Sequence, residues 1–403
     1  MLDNPLKTVR NIGENLSSSE DKRIRVLVLF GTRPEAIKLA PVINELKKHT
    51  HFRTTVVSSS QHTDLLTPFL EIFKIKTDYD LQVMTANQTP NQVCSKVLSA
   101  LDSILDAEKP DVILVQGDTT TAFAGAFAGF NRKIKVGHVE AGLRSGNPLS
   151  PFPEEMNRRL ISQVAAFHFA ATDENRKNIL QETADSDNIF VVGNTVVDAL
   201  HFILEKSTPS EKISQLIKRT KGLKSVLLTT HRRESFGKAM SGNLRELRNF
   251  VERNKDICLF FPVHPNPNVQ DITNEILADR ERIYLLEPLN YADFVTLMKE
   301  AWLIVSDSGG VQEEAPSLGK PLLVLRENTE RPEALRSGVA KLVGGDSEVL
   351  AEMLEENYKN EKWINSVKEI KNPFGDGTSA QKIVEILEEK LTATVKNQQG
   401  EQK

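Results

Sequence analysis

The sequence predicts an α/β protein built from two doubly wound parallel-sheet domains. Three observations carry this. Short apolar runs rich in β-branched residues recur along the 403 residues, each suited to a strand buried on both faces. Longer stretches with apolar residues at helical spacing separate them. The alternation then restarts, giving two series of comparable size.

The first series opens with Ile24–Phe30 (IRVLVLF), an almost unbroken β-branched run, followed by a helix over Glu35–His49. Further strands are predicted at Thr54–Ser58, Asp111–Gln116, Ile134–Val139 and Phe167–Ala171. The second series begins near Ile189–Gly193 and continues through Ser225–Thr230, Ile257–Val263, Ile283–Leu286, Leu303–Ser306 and Pro321–Leu325. Such βα alternation reads as two Rossmann-like halves facing a central cleft. Glu205–Leu223 is polar, with Thr208-Pro209 inside it, and reads as insertion or linker material between strands. A helix opens within Asn372–Ser379, where Ser and Thr offer caps, and runs to about Leu391. The expected organisation is a mobile extension over residues 1–22, domains over 23–193 and 194–375, a helix over 376–391 and a mobile tail over 392–403.

Composition narrows the function. Lys+Arg number 51 against Asp+Glu 55, a formal charge of −4, which opposes a general nucleic-acid binder. No apolar run approaches the roughly 20 residues of a membrane span. Residues 1–22 are polar and carry Asp3, Glu14, Glu20 and Asp21, unlike a signal or transit peptide, so a cytoplasmic protein is expected. Cys94 and Cys258 each sit in apolar segments away from histidines, giving neither a disulfide framework nor a metal site.

Chemistry-bearing residues gather at predicted strand ends, which face the ligand crevice in open α/β sheets. Gly31-Thr32-Arg33-Pro34-Glu35-Ala36-Ile37-Lys38 follows the first strand and opens a helix. Arg33 and Lys38 beside a helix N-terminus suit a phosphate, although two solvated cations on a turn fit the spacing equally well. Gln116-Gly117-Asp118-Thr119 places Asp118 after a strand, where an N-cap is its commonest role. Glu140 lies in Gly137-His138-Val139-Glu140-Ala141-Gly142, and Glu154 and Glu155 follow Pro151-Phe152-Pro153. Acids at three loops of one half-domain suit proton transfer, because crowding and desolvation raise carboxyl pKa values. Glu155 is expected to pair with Arg158 or Arg159 instead.

In the second half, Thr230-His231-Arg232-Arg233 ends a strand with groups able to donate to phosphate oxygens. Ser308, Gly309 and Gly310 leave backbone N–H groups at a helix start, an anion nest. Glu314 suits the hydroxyls of a ribose, and Arg331 follows the next strand. Phe294 offers a face to a base, though a helical Phe is more often core. Together these read as a nucleoside-diphosphate grip.

The motifs GTRPEAIK, QGDTTT, GHVEAGLR, SPFPEEMNR, THRRES, SDSGGVQEEAP and TERPEA, in this order, resemble the non-hydrolysing UDP-N-acetylglucosamine 2-epimerases, of the glycosyltransferase-B fold. The similarity spans about Ile24 to Leu391. It implies interconversion of UDP-N-acetylglucosamine and UDP-N-acetylmannosamine for surface polysaccharide synthesis, by elimination of UDP to 2-acetamidoglucal and re-addition. By motif, Asp118, Glu140 and Glu154 are the acid/base groups and His231 assists departure of UDP. Arg33, Lys38, Arg232, Phe294, Ser308, Gly309, Gly310, Glu314 and Arg331 bind the UDP-sugar. Gln61 and His62 match part of a region that binds activating substrate in bacterial members, while their surroundings depart from the pattern. No cofactor is implied, since no hydride moves, and no metal. A homodimer is implied. The alternatives are a 2-epimerase of a UDP-2,3-diacetamido-glucuronic acid, a hydrolysing epimerase, and a glycosyltransferase-B type transferase.

Overall fold

A computed structural model describes residues 22–59, 63–85, 88–182, 186–230 and 238–400. The extension expected over residues 1–22 therefore lies outside the described residues except for Lys22. Strands β1 (Ile24–Phe30), β2 (Phe52–Ser58), β3 (Tyr79–Asp80), β4 (Val112–Gln116), β5 (Lys135–Ala141), β6 (Phe167–Ala170) and β7 (Ile189–Val191) form the first sheet. Its order is β3-β2-β1-β4-β5-β6-β7, and every pair is parallel. Between them run helices α1 (Arg33–Lys48), α2 (Thr63–Ile72), α3 (Pro90–Glu108), α4 (Thr120–Asn131), α5 (Glu154–Val164) and α6 (Asp173–Leu180). After β7 comes α7 (Thr195–Lys206).

The second sheet repeats the plan. After α8 (Glu211–Arg219), strands β8 (Lys224–Thr229), β9 (Ile257–Pro262), β10 (Ile283–Leu286), β11 (Leu303–Ser306), β12 (Leu322–Val324) and β13 (Ala340–Leu342) pair in the order β10-β9-β8-β11-β12-β13. All of these pairs are parallel as well. The helices are α9 (Lys238–Arg253), α10 (Pro267–Leu277), α11 (Tyr291–Glu300), α12 (Gly309–Glu314), α13 (Pro332–Arg336), α14 (Ser347–Lys359), α15 (Lys362–Val367) and finally α16 (Ser379–Gly400).

Burial explains the strand runs. Val26 to Phe30 are each at most 1% exposed, and helices on both faces of a parallel sheet demand this. Each such side chain contributes about 1.5–3 kcal/mol. Among the described residues, those up to Ala199 and those from Gly375 onward form one compact unit, and those within Leu200–Phe374 form the other. The chain thus leaves the first unit within α7 and returns to it for α16, which packs on α1 and β1 through a face including the buried Ile383 and Leu387.

Three expectations need correcting. The segment Glu205–Leu223 is inserted material between strands rather than linker: it holds the end of α7 and the whole of α8. Ser210 caps α8, its hydroxyl accepting from the Ile213 N–H, while its own N–H donates to Asp293 on α11 at 2.7 Å. The strands β3 and β13 fall outside the predicted runs, because two or three residues carry no periodicity. The last helix continues past Leu391 to Gly400, since extending an existing helix needs no new nucleus.

Candidate active site

In each sheet the strand order reverses between the first strand and its neighbour, β1 beside β4 and β8 beside β11. Loops leaving such a pair diverge to opposite faces and open a crevice at the strand ends. The GTRPEAIK motif follows β1, QGDTTT spans the end of β4 and SDSGGVQEEAP the end of β11, while Glu140 lies in β5, Glu154 on α5 and Arg331 beyond β12.

At the β1/β4 pair, Glu35 joins the two loops. One carboxylate oxygen accepts from the N–H groups of Gly31 and Thr32, at 3.1 and 2.6 Å. The other accepts from the Thr119 hydroxyl at 2.7 Å. Burial raises the Glu35 carboxyl above its ordinary range, against the pull of these donors. Thr119, rather than Asp118, caps α4, accepting from the Ala122 N–H at 3.0 Å. Asp118 is thereby left for other work.

Glu140 sits where the β5–β6 register shifts between Val139 and Ala141. Its φ of 63° is left-handed, a conformation that costs a non-glycine residue about 1–2 kcal/mol. The side chain repays that cost locally. Its carboxylate, on a residue only 7% exposed, is ion-paired with the Lys38 ammonium. It also accepts from the amides of Gln116 at 3.1 Å and Asn194 at 2.8 Å. Lys38, read above as facing a phosphate, has its ammonium on Glu140. Glu35, Lys38, Leu39 and Val42 form the buried stripe of α1, so the lysine points inward, where a buried carboxylate needs a counter-charge. Arg33, the first residue of α1, is half-buried.

Asp118 adjoins this group. A Cβ at Gly117 would lie 3.7 Å from Oε1 of Glu140, so the two acids flank one glycine. The Asp118 carboxylate accepts from Nε of Arg158 at 2.8 Å, and its backbone carbonyl accepts from the Asn157 amide at 2.8 Å. Glu154 opens α5 one turn before these two residues, on the same side of the helix. Glu155 is fully buried and structural. It accepts from Arg158 at 2.8 Å, Arg159 at 3.0 Å and the Ser145 N–H at 2.9 Å, which matches the expected pairing. The first unit therefore brings Asp118, Glu140 and the start of α5 together.

His138 stands two residues before Glu140, and its Nε2–H donates to the Gly117 carbonyl at 2.7 Å. Burial drives its pKa from 6.5 down to about 3, so the ring is neutral. Between those values the unfolded chain holds the extra proton. This contribution to stability is therefore complete above pH 6.5 and is lost as pH falls toward 3, at up to about 1.4 kcal/mol per pH unit. His138→Gln, which keeps a donor for Gly117, should flatten that acid limb in urea midpoints measured from pH 7 to 4. An unchanged limb would refute the assignment.

In the second unit, the hydroxyls of Thr229 and Ser306 meet at 2.6 Å where β8 and β11 end. Ser306 also accepts the Ser308 N–H at 2.9 Å, which sets the start of α12. The Arg331 guanidinium lies over that start: a Cβ at Gly309 would be 2.5 Å from Nη1. Glu313 and Glu330 hold it there, at 2.6 and 3.4 Å. Glu314 reaches back to within 3.9 Å of a Cβ placed on Gly310 and accepts the Tyr291 hydroxyl. Burial, then the neighbouring Glu314, raises the Tyr291 pKa well above its ordinary value, so the phenol stays a donor. Phe294 follows Tyr291 by three residues on α11 and is half-buried. His231, Arg232, Gln61 and His62 lie outside the described residues.

Sequence reading missed Gln116, Asn194, Tyr291, Glu313 and Glu330. Gln116 and Asn194 carried the usable signal, since Gln116 ends β4 and Asn194 lies in the short link from β7 to α7, each beside a glycine. The others are support on helices and a loop, with no local signature.

Two Rossmann-like units, one with acids at its strand ends and one with a glycine-rich helix start under an arginine, define an enzyme of the glycosyltransferase-B class of architecture. The family model described as UDP-N-acetylglucosamine 2-epimerase matches residues 44–388, and the chain belongs to that family. It is 44% identical over 369 residues to the UDP-N-acetylglucosamine 2-epimerase of Salmonella typhimurium, covering 90% of this chain and 98% of that one. Among solved structures, it is similar to the Neisseria meningitidis UDP-GlcNAc 2-epimerase bound to UDP-GlcNAc, with TM-score 0.83 and 43% identity over 90% of this chain and 99% of the other. The Methanocaldococcus jannaschii enzyme in complex with UDP-GlcNAc and UDP gives TM-score 0.77 at 36% identity, with the same coverage.

Proposed function

We propose that this chain interconverts UDP-N-acetylglucosamine and UDP-N-acetylmannosamine by elimination and re-addition. A carboxylate removes the C2 proton, the C1–O bond to UDP breaks with its electron pair leaving on the diphosphate, and a C1–C2 double bond forms. A second acid then protonates C2 from the other face as UDP returns to C1. Asp118, Glu140 and Glu154 supply the proton-handling groups. Ser308, Gly309, Gly310, Glu314 and Arg331 hold UDP, with Arg33, Arg232 and Phe294 as further contacts and His231 aiding departure. Lys38 acts through Glu140 as its counter-charge. The observation that carries this reading is Glu140, a buried carboxylate kept in a strained backbone conformation beside Asp118. Hydride transfer plays no part, so no nicotinamide is required.

Proton NMR in deuterated buffer tests it. UDP-N-acetylglucosamine alone should lose its C2 proton signal while the manno isomer appears carrying deuterium at C2. Turnover without exchange, or exchange only with a diacetamido-uronate, would sink it.

The proposal includes a homodimer. Phe127 and Phe130 on α4 are 38% and 55% exposed, and Met156 and Leu160 on the neighbouring α5 are 37% and 40% exposed. An apolar face of this kind fits a second copy of the chain. Light scattering should give twice the chain mass at micromolar concentration, and Phe130→Lys with Leu160→Lys should halve it. A wild-type monomer would refute the dimer. Among the described residues no helix is long and apolar enough to cross a membrane, and Cys94 and Cys258 are free thiols, which supports a cytoplasmic setting.

A further inference from the structure

Away from these residues, two histidines and a glutamate meet on the first unit. His49 closes α1, and His51 follows it in the turn before β2. Glu388 faces them from α16. One ligand atom from each of the three lies within 4.8 Å of the others. Nε2 of His51 is occluded, makes no hydrogen bond among the described residues, and faces Oε1 of Glu388 at 3.2 Å. A tetrahedral ion with bonds of about 2.0–2.1 Å sets its ligand atoms about 3.3 Å apart, so this pair already has the spacing of one tetrahedron edge. Oε1 of Glu45, one helical turn before His49, lies 3.6 Å from Nε2 of His49, while its other oxygen takes the Lys48 ammonium, so Glu45 flanks the three-residue group without joining it.

We propose that His49, His51 and Glu388 bind a transition-metal dication of the zinc type, with water in the fourth position, and that the ion clips α16 to the end of α1. Two imidazoles select such an ion over calcium or magnesium, which prefer all-oxygen shells. The turn is built to hold the ligands. The Ile24 N–H donates to the His51 carbonyl at 2.9 Å, and the Phe52 N–H donates to the His49 carbonyl at 3.2 Å. The two imidazole rings stand edge to face with centroids 5.5 Å apart. Glu388 reaches this turn across the packed α1–α16 face, so the ion would tie together segments more than three hundred residues apart in the chain. Such a link acts on the helix that returns from the second unit, and it is independent of the chemistry proposed above.

The test uses the full-length, untagged, chelator-treated protein. Calorimetry with zinc chloride should give one ion per chain with micromolar or tighter affinity. Cobalt substitution should give the intense visible absorption of a tetrahedral site, and zinc should raise the melting temperature. His51→Ala and Glu388→Gln should each weaken zinc binding by about ten-fold or more. Both should leave the metal-free melting temperature and turnover unchanged. Absence of saturable zinc binding would overturn the proposal, as would affinity undiminished in both variants, which would place the ion elsewhere.

Discussion

Glu140→Gln should lower epimerisation by about 10²–10⁴-fold, the usual worth of a positioned proton-transfer group, while the protein still folds. Glutamine preserves volume, so packing against Gly117 is kept. What changes is charge and hydrogen-bond sense. The carboxylate accepts from Lys38, Gln116 and Asn194, whereas glutamine offers one acceptor oxygen and turns an NH₂ toward donors. Lys38, on a residue 8% exposed, would lose its buried ion-pair partner, a penalty of about 3–5 kcal/mol. A lower melting temperature should therefore accompany the loss of activity, with UDP affinity little changed because the proposed UDP contacts are on other loops. Two measurements separate the effects: C2 exchange in deuterated buffer, and calorimetric UDP binding. Turnover within ten-fold of wild type would remove Glu140 from the chemistry.

Gly142→Ala should destabilise the protein by about 3 kcal/mol, a large effect for the addition of one methyl group. Gly142 has φ of 91°, which an alanine adopts only under strain. The new Cβ would meet the Asn175 carbonyl oxygen at 2.2 Å and its carbon at 2.7 Å. These are backbone atoms in the first turn of α6, so no side-chain rotation relieves the clash. The loop is also pinned by the Asn178 amide, which donates to the Gly142 carbonyl at 2.9 Å. Relief would require moving the segment that carries Glu140 two residues earlier, and activity should fall along with stability. Urea denaturation of the variant measures the first effect, and an unchanged midpoint would show that the loop yields freely.

Much of the architecture was legible because parallel strands buried on both faces need unbroken apolar runs. Ile24–Phe30 announced β1 residue for residue. Asp111–Gln116 and Leu303–Ser306 did nearly the same for β4 and β11. The acids and the glycine-rich helix start were visible because they punctuate strand ends. By contrast, the sequence over α8 reads as insertion or linker material, since its single buried apolar residue, Ile213, is outvoted by lysines and glutamate on its exposed faces.

Local chemistry thus determined the strands, most helices and the loops that bear functional groups, because periodicity, capping and turn preference act over a few residues. Partnership was decided only in three dimensions. Lys38 meets Glu140 across 102 positions, and Asn194 meets it across 54. Asp118 takes Arg158 rather than an N-cap role, and α16 packs back on α1 instead of following the second sheet. The reason is topological: parallel crossovers bring strand ends from distant segments to one edge of a sheet. Which charge neutralises which there follows from sheet order and register, and neither is written in the neighbouring residues.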